Sequence, residues 1–189
     1  HLGEGMPVSA EEWDIVESWY DGAIRYLDDW LSRLVSFLRE HDRFEETAIF
    51  VTADHGEMFG EHGLTKHDFS LYEELLHVPL VIKPPGASGI DVPARPRGLV
   101  SLVDLYPTIL SLAGRPMSDY PYSKDLLSDP DAGHEYVFAE IGEKPIQHIT
   151  RRHPEFEGSK HNGPIQSVRD EQYKLIVSGD RVELYDWVT

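Results

Sequence analysis

Apolar residues between positions 9 and 41 recur every three or four places: Trp13, Val16, Tyr20, Ala23, Leu27, Leu31, Leu34 and Leu38. That spacing places them on one face of a helix and predicts a long amphipathic helix. Ser9 and Glu12 have the spacing of a capping box, with Val8 and Trp13 as the adjoining hydrophobic staple. Gly22 weakens the middle by about 1 kcal/mol relative to alanine, a cost that packing along a sheet offsets. A polar turn at 42–46 leads into a short apolar run at 47–52, continuous enough to predict a strand buried on both faces.

Residues 71–76 predict a short helical segment. Residues 78–83 predict a second strand, with Pro79 marking a strand start or an edge and Pro84-Pro85-Gly86 its end. Residues 97–103 predict another extended segment. Asp104 has the chemistry of an N-cap for a helix through Ala113, with Pro107 tolerated in the first turn and Gly114 at the stop. Beyond Pro116 the pattern changes to short strands at 136–141, 166–169, 173–177 and 182–185, the last two joined by a hairpin turn at Ser178-Gly179-Asp180. The expected fold class is α/β: a three-layer α/β/α portion over 1–115, then a small antiparallel β subdomain over 116–189.

The chemistry gathers where the 47–52 run ends, in Asp54-His55-Gly56, followed after a glycine-bearing loop by Lys66. A carboxylate and an imidazole at a strand end can share one divalent cation, and a lysine a loop later can face the anion that cation holds. This pattern fits a phosphate or sulfate ester. His62 and His67 flank Lys66 and are weaker candidates for substrate contact, proton relay or hydrogen bonding behind the ligands. Gly56, Gly60 and Gly63 read as turn-formers rather than a phosphate cradle, since the strand-to-helix context of a P-loop is missing. Glu57 and Glu61 read as solvated or loop-fixing. Four histidines at 134, 148, 153 and 161 match no standard zinc spacing and read as surface residues. Arg151 and Arg152, cationic in an acidic chain, could line an entrance for an anionic substrate.

The segments Tyr20 to Asp28, Asp54 to Lys66, Val78-Pro79-Leu80, Asp104-Leu105-Tyr106-Pro107-Thr108 and Glu183-Leu184-Tyr185-Asp186 stand in the order found in sulfatases. The chain resembles the sulfatase family of the alkaline-phosphatase-like superfamily over nearly its whole length, more loosely at 140–165, and corresponds to the later part of a full-length member. The resemblance implies a metal-dependent sulfuric ester hydrolase in which Asp54 and His55 are metal ligands and Lys66 contacts the ester oxygen and the sulfate. It implies calcium first, although the Asp-His pair itself also admits manganese, zinc or magnesium. It further implies a formylglycine made from a Cys or Ser within a Cys/Ser-x-Pro-x-Arg motif near the beginning of the family's chains. No such motif occurs here, so the 189 residues read as a fragment that is inactive by itself. The alternatives are a phosphate or phosphonate ester hydrolase of the same superfamily and a truncated, non-catalytic module.

The bulk composition adds limits. An apolar content of 40% suffices for a core. A formal charge of −17 disfavours a nucleic-acid partner; the resemblance implies a small-molecule or saccharide sulfate ester instead. Arginine outnumbers lysine among the 17 bases. Such an acid-rich, lysine-poor surface suits high salt and points to a halophilic source, the plainer reading being an ordinary acidic protein. No run is long and apolar enough for a membrane span. Zero cysteines exclude disulfides and thiolate ligands, and neither compartment nor oligomeric state is specified by these features.

Overall fold

Ser9 starts the longest element of the computed structural model, α1 (Ala10–Glu40), through a complete capping box. The Ser9 backbone N–H donates to Glu12 Oε2 at 2.8 Å, and the Glu12 N–H donates to Ser9 Oγ at 3.3 Å. The Ser9 N–H and the Ser9 hydroxyl, both donating to the Glu12 carboxylate, hold it below the usual carboxylate range. The structure describes residues 8–89, 98–115, 121–128, 133–142 and 163–187. They fall into two compact units, one drawn from 1–68 and 73–89, the other from 69–72 and 90–189.

In the first unit, α1 is followed by β1 (Ile49–Thr52), β2 (Met58–Phe59), β3 (Thr65–Lys66), the single turn α2 (Glu73–Leu76) and β4 (Leu80–Lys83). β1 and β4 pair antiparallel, Ile49 opposite Lys83 and Thr52 opposite Leu80, and Pro79 lies just before β4 as a strand-start proline should. β1 is half-buried with Thr52 exposed, which corrects the expectation of burial on both faces. Among the described residues β1 has a single neighbouring strand, β4, which leaves part of its side chains in solvent. The Lys83 ammonium donates to the carbonyls of Phe44 and Thr47 at 2.6 and 3.2 Å and lies over the Phe44 ring, tying the turn after α1 to the sheet.

Helix α1 touches this unit along one side. Tyr20 meets Phe59 edge-on at 5.2 Å, and the Trp13 ring sits 3.0 Å from where a side chain on Gly60 would begin. Gly60 also has φ +113°, so a larger residue would meet both strain and the indole. No residue of α1 is fully buried. The apolar face predicted to pack is open over much of its width: Leu27 is 65% exposed, Leu34 49% and Tyr20 40%, and beside it Trp19 and Trp30 are exposed as well.

In the second unit, Leu102–Asp104 form a 3-10 turn leading into α3 (Leu105–Leu112); Asp104 takes the N-cap position of α3 without a capping bond from its side chain, and Ser101 caps the turn before it. The box is reciprocal, with the Ser101 N–H donating to Asp104 Oδ2 at 2.8 Å. The four strands β5 (Val137–Ile141), β6 (Ile165–Arg169), β7 (Tyr173–Ser178) and β8 (Arg181–Asp186) form one antiparallel meander in chain order. Ile165, Ser167, Lys174 and Ile176 share its buried face, while Phe138, Val182 and Leu184 are exposed. Of the predicted extended segment at 97–103, the described part holds only an isolated bridge from Leu99 to His134.

Candidate functional site

Asp54 and His55 follow β1, where the chain leaves the sheet. The next residue fixes the path: the Gly56 N–H donates to the Leu75 carbonyl at 2.9 Å, and a Cβ on Gly56 would stand 1.9 Å from the Glu74 carbonyl oxygen. Only glycine permits that approach of the loop to the α2 backbone. The Asp54 side chain is 89% exposed, with Oδ1 accepting from the His55 N–H at 3.1 Å.

The His55 ring is oriented by its own neighbour. Nδ1 lies 2.8 Å from the Gly56 carbonyl oxygen, which can only accept, so Nδ1 is the donor and, in the neutral ring, Nε2 carries the lone pair. That lone-pair atom is 3.7 Å from Asp54 Oδ2. A neutral imidazole nitrogen beside a carboxylate oxygen is a donor pair suited to a divalent cation, and the nitrogen favours manganese or zinc over an all-oxygen calcium cage. Among the described residues, no group of three or more His, Asp or Glu side chains assembles to hold a metal, so these two alone would not complete a coordination shell.

The loop that follows returns Lys66 and His67 to this place. β2 and β3 pair antiparallel with Met58 opposite Lys66, around a 3-10 turn at Glu61–Gly63. Three side-chain-bearing residues of the segment adopt left-handed backbone: His62 at φ 54°, Lys66 at 64° and Phe69 at 62°. Each such residue costs on the order of 1 kcal/mol or more, and such strain clusters at functional sites. Lys66 is exposed and has no ion-pair partner among the described residues.

His67 stacks on His55, ring centroids 4.1 Å apart and planes at 28°, while its Nδ1 lies 3.1 Å from Glu57 Oε2. His62 faces elsewhere, its Nε2 3.5 Å from Glu74 Oε1. The structure therefore gathers Asp54, His55, Glu57 and His67, with Lys66 next to His67 in the chain. Arg151, Arg152, His148, His153 and His161 lie outside the described residues.

His134 is not the surface histidine the sequence suggests. It is largely buried against Asp104 in the second unit. The sequence also gave no sign of the Glu57–His67 contact, although a carboxylate following the Asp-His-Gly string was there to be asked about.

Comparison with known proteins places these residues in context. The family model described as Sulfatase matches residues 10–115, which include Asp54, His55 and Lys66. Arylsulfatase K from Gallus gallus is 31% identical over 180 residues, covering 89% of this chain and 30% of its own length. The chain thus spans under a third of that relative. Among solved structures, the phosphonate monoester hydrolase SpPMH from Silicibacter pomeroyi superposes with a TM-score of 0.76 at 24% identity, over 97% of this chain and 37% of its own. A protein solved with its substrate D-glucosamine-2-N,6-O-disulfate gives a TM-score of 0.63 at 24% identity, covering 86% of this chain and 32% of its own. These likenesses establish the fold class as α/β of the alkaline-phosphatase-like kind, with a four-stranded antiparallel sheet toward the C-terminus.

Proposed function

The chain belongs to the sulfatase family, and from that premise we propose that it is the later part of a metal-dependent sulfuric ester hydrolase. The reading rests above all on one observation: the bond from His55 Nδ1–H to Gly56 makes Nε2 the lone-pair atom of the neutral ring, and that atom lies 3.7 Å from an exposed Asp54 carboxylate oxygen.

Asp54 and His55 are the residues that would hold the cation, calcium by family resemblance, with manganese, zinc or magnesium as the other options. When bound, such an ion polarises sulfate oxygens and favours a deprotonated nucleophile. The remaining donors and the formylglycine come, in this reading, from sequence outside residues 1–189. Gly56 keeps the ligand loop pressed to α2, so the two donors do not have to be ordered when the ion arrives. Lys66 carries a fixed positive charge that steadies the bridging oxygen as negative charge develops on it. Division of the chain at 115/116 into an α/β part and an antiparallel subdomain belongs to the same reading; β5 to β8 all lie beyond it, although α3 clusters with them in the second unit.

The substrate class is a small-molecule or saccharide sulfate ester. The complex of a structural neighbour with a sulfated glucosamine supports the saccharide. A second reading, hydrolysis of phosphonate or phosphate esters, is favoured by the likeness to a phosphonate monoester hydrolase. The experiment is an assay of the complete gene product on aryl sulfate, aryl phosphonate ester and phosphate diester, before and after chelation and metal return. Sulfatase turnover lost on chelation and abolished by Asp54→Ala supports the first reading. Dominant phosphonate hydrolysis replaces it with the second, and metal-independent turnover overturns both. Robust sulfate hydrolysis by residues 1–189 alone would overturn the expectation that this segment is inactive.

A further inference from the structure

His67 and Glu57 stand close to the ligand pair without belonging to it. Glu57 Oε2 accepts from His67 Nδ1 at 3.1 Å, and the Glu57 side chain is mostly buried while His67 is about half open. The face of the His67 ring is spent on His55.

An imidazole that is to present one nitrogen to a cation needs two things fixed: the plane of the ring, and the choice between two orientations within that plane related by a half-turn. The torsion that sets the plane is broad for histidine. The bond from Nδ1 to the Gly56 carbonyl selects between the half-turn alternatives, but a single bond to an adjacent residue leaves the plane free to rock. The stacked ring at 4.1 Å restricts that rocking. His67 can do so only if it is held itself, and its bond to Glu57 provides the hold.

We propose that Glu57 and His67 are positioning residues for the Nε2 atom of His55, Glu57 orienting His67 and His67 clamping the plane of His55. This rests on the reading of Asp54 and His55 as metal ligands. Neither residue contacts the cation in this role, and the consequence is tighter metal binding through an ordered ligand. The role also accounts for two features that simple loop packing leaves unexplained: a mostly buried carboxylate aimed at a half-exposed imidazole, and that imidazole lying flat on the ligand histidine.

The test uses the ¹⁵N-labelled 189-residue chain and Mn²⁺ as probe, following paramagnetic broadening of the His55 ring resonances, with the amide spectrum reporting that each variant is folded. Wild type should show His55 as the Nδ1–H tautomer and broaden at the lowest Mn²⁺, and Asp54→Ala should abolish the effect. Glu57→Gln and His67→Ala should each raise the Mn²⁺ midpoint by about tenfold, the lower end of what losing a ligand's supporting contact costs. His67→Phe, which keeps a flat ring, should recover part of that loss, and Glu57→Gln added to His67→Phe should change nothing further. Wild-type broadening with unchanged midpoints in both Glu57→Gln and His67→Ala would overturn the clamp alone. Absence of His55 broadening in wild type, with the same result in the complete gene product labelled with ¹⁵N-histidine, would overturn the ligand reading and the clamp with it.

Discussion

His134 Nε2 lies 2.8 and 3.0 Å from the two carboxylate oxygens of Asp104, a residue with 0% exposure. Around this pair the second unit is stitched together. Asp104 also accepts from the backbone N–H groups of Ser101 and Lys124, each at 2.8 Å. Its carbonyl accepts from Thr108 Oγ1, whose oxygen accepts in turn from the Leu126 N–H. The Lys124 ammonium donates to the Gly133 carbonyl, and the His134 N–H to the Leu99 carbonyl.

Asp104→Ala removes an acceptor shared by three donors and leaves them facing a buried void. The expected cost is about 3–5 kcal/mol, as for breaking a buried charged network. His134→Ala leaves the carboxylate with its two backbone donors and should cost less, about 1.5–3 kcal/mol. Urea midpoints with unchanged m-values would measure both. Equal, small shifts would show that the pair does not hold this unit.

Gly56→Ala tests the ligand loop without touching a ligand. A methyl group 1.9 Å from the Glu74 carbonyl oxygen cannot be accommodated by a rotamer change, because the obstacle is backbone. The loop has to lift from α2, with a stability loss of about 1–3 kcal/mol and a larger relative loss in metal-dependent turnover. Metal titration of the full-length variant should show weakened affinity, and unchanged affinity would separate the loop's path from the ligands' placement.

Lys66 couples charge to backbone strain, and the two can be pulled apart. Lys66→Ala keeps the left-handed backbone at φ 64° while removing the ammonium. Lys66→Gly removes the ammonium and relieves the conformation, so it should be about 1 kcal/mol more stable than Lys66→Ala. In the full-length protein both should lower kcat with modest change in KM. Thermal unfolding of the pair, alongside kinetics, reads the two effects independently.

The tyrosines around Glu183 predict an alkaline weakness. Burial, then the bonds linking it to Glu183 and Tyr72, push the Tyr185 hydroxyl far above the ordinary tyrosine range, and burial followed by Glu183 raises Tyr72. Tyr72 donates to Glu183 Oε2 at 3.0 Å, Tyr185 donates to the same oxygen, and the Arg181 guanidinium pairs with the other. The folded chain therefore holds these protons more tightly than the unfolded one. Their stabilisation is complete below the unfolded value near 10 and is lost as pH rises above it toward the raised folded values. Urea midpoints should fall with pH above 10, less steeply in Glu183→Gln, with late phenolate absorbance at 295 nm in wild type.

Much of the secondary structure was legible because its causes are local. Ser9 and Glu12 are three residues apart, and their capping box forms as read. The alternation in β7 and β8 and the glycine of their turn place that hairpin within a residue of its observed bounds. Asp104 stands at the N-cap position of α3 as read, but its side chain does not cap that helix: its partners include Lys124 and His134, which no local spacing announces. The burial of β1 was overstated for a similar reason: an apolar run records what a strand can bury, not how many neighbours it has. In the site, Asp54 and His55 were legible as neighbours at a strand end, and the carbonyl that orients the His55 ring could only be seen in three dimensions. The left-handed turn at Lys66 was hidden because no glycine marks it.

The uncovered aromatic side of α1 gives this acidic chain an unusual response to electrolytes. Mutual repulsion from a net charge of −17 keeps copies apart in dilute buffer, while Trp19, Trp30 and Leu27 draw apolar surfaces together. Added sulfate screens the repulsion and strengthens the attraction at once. Salting-out should therefore begin early, and substituting those three side chains with polar ones should delay it more than any change in surface charge.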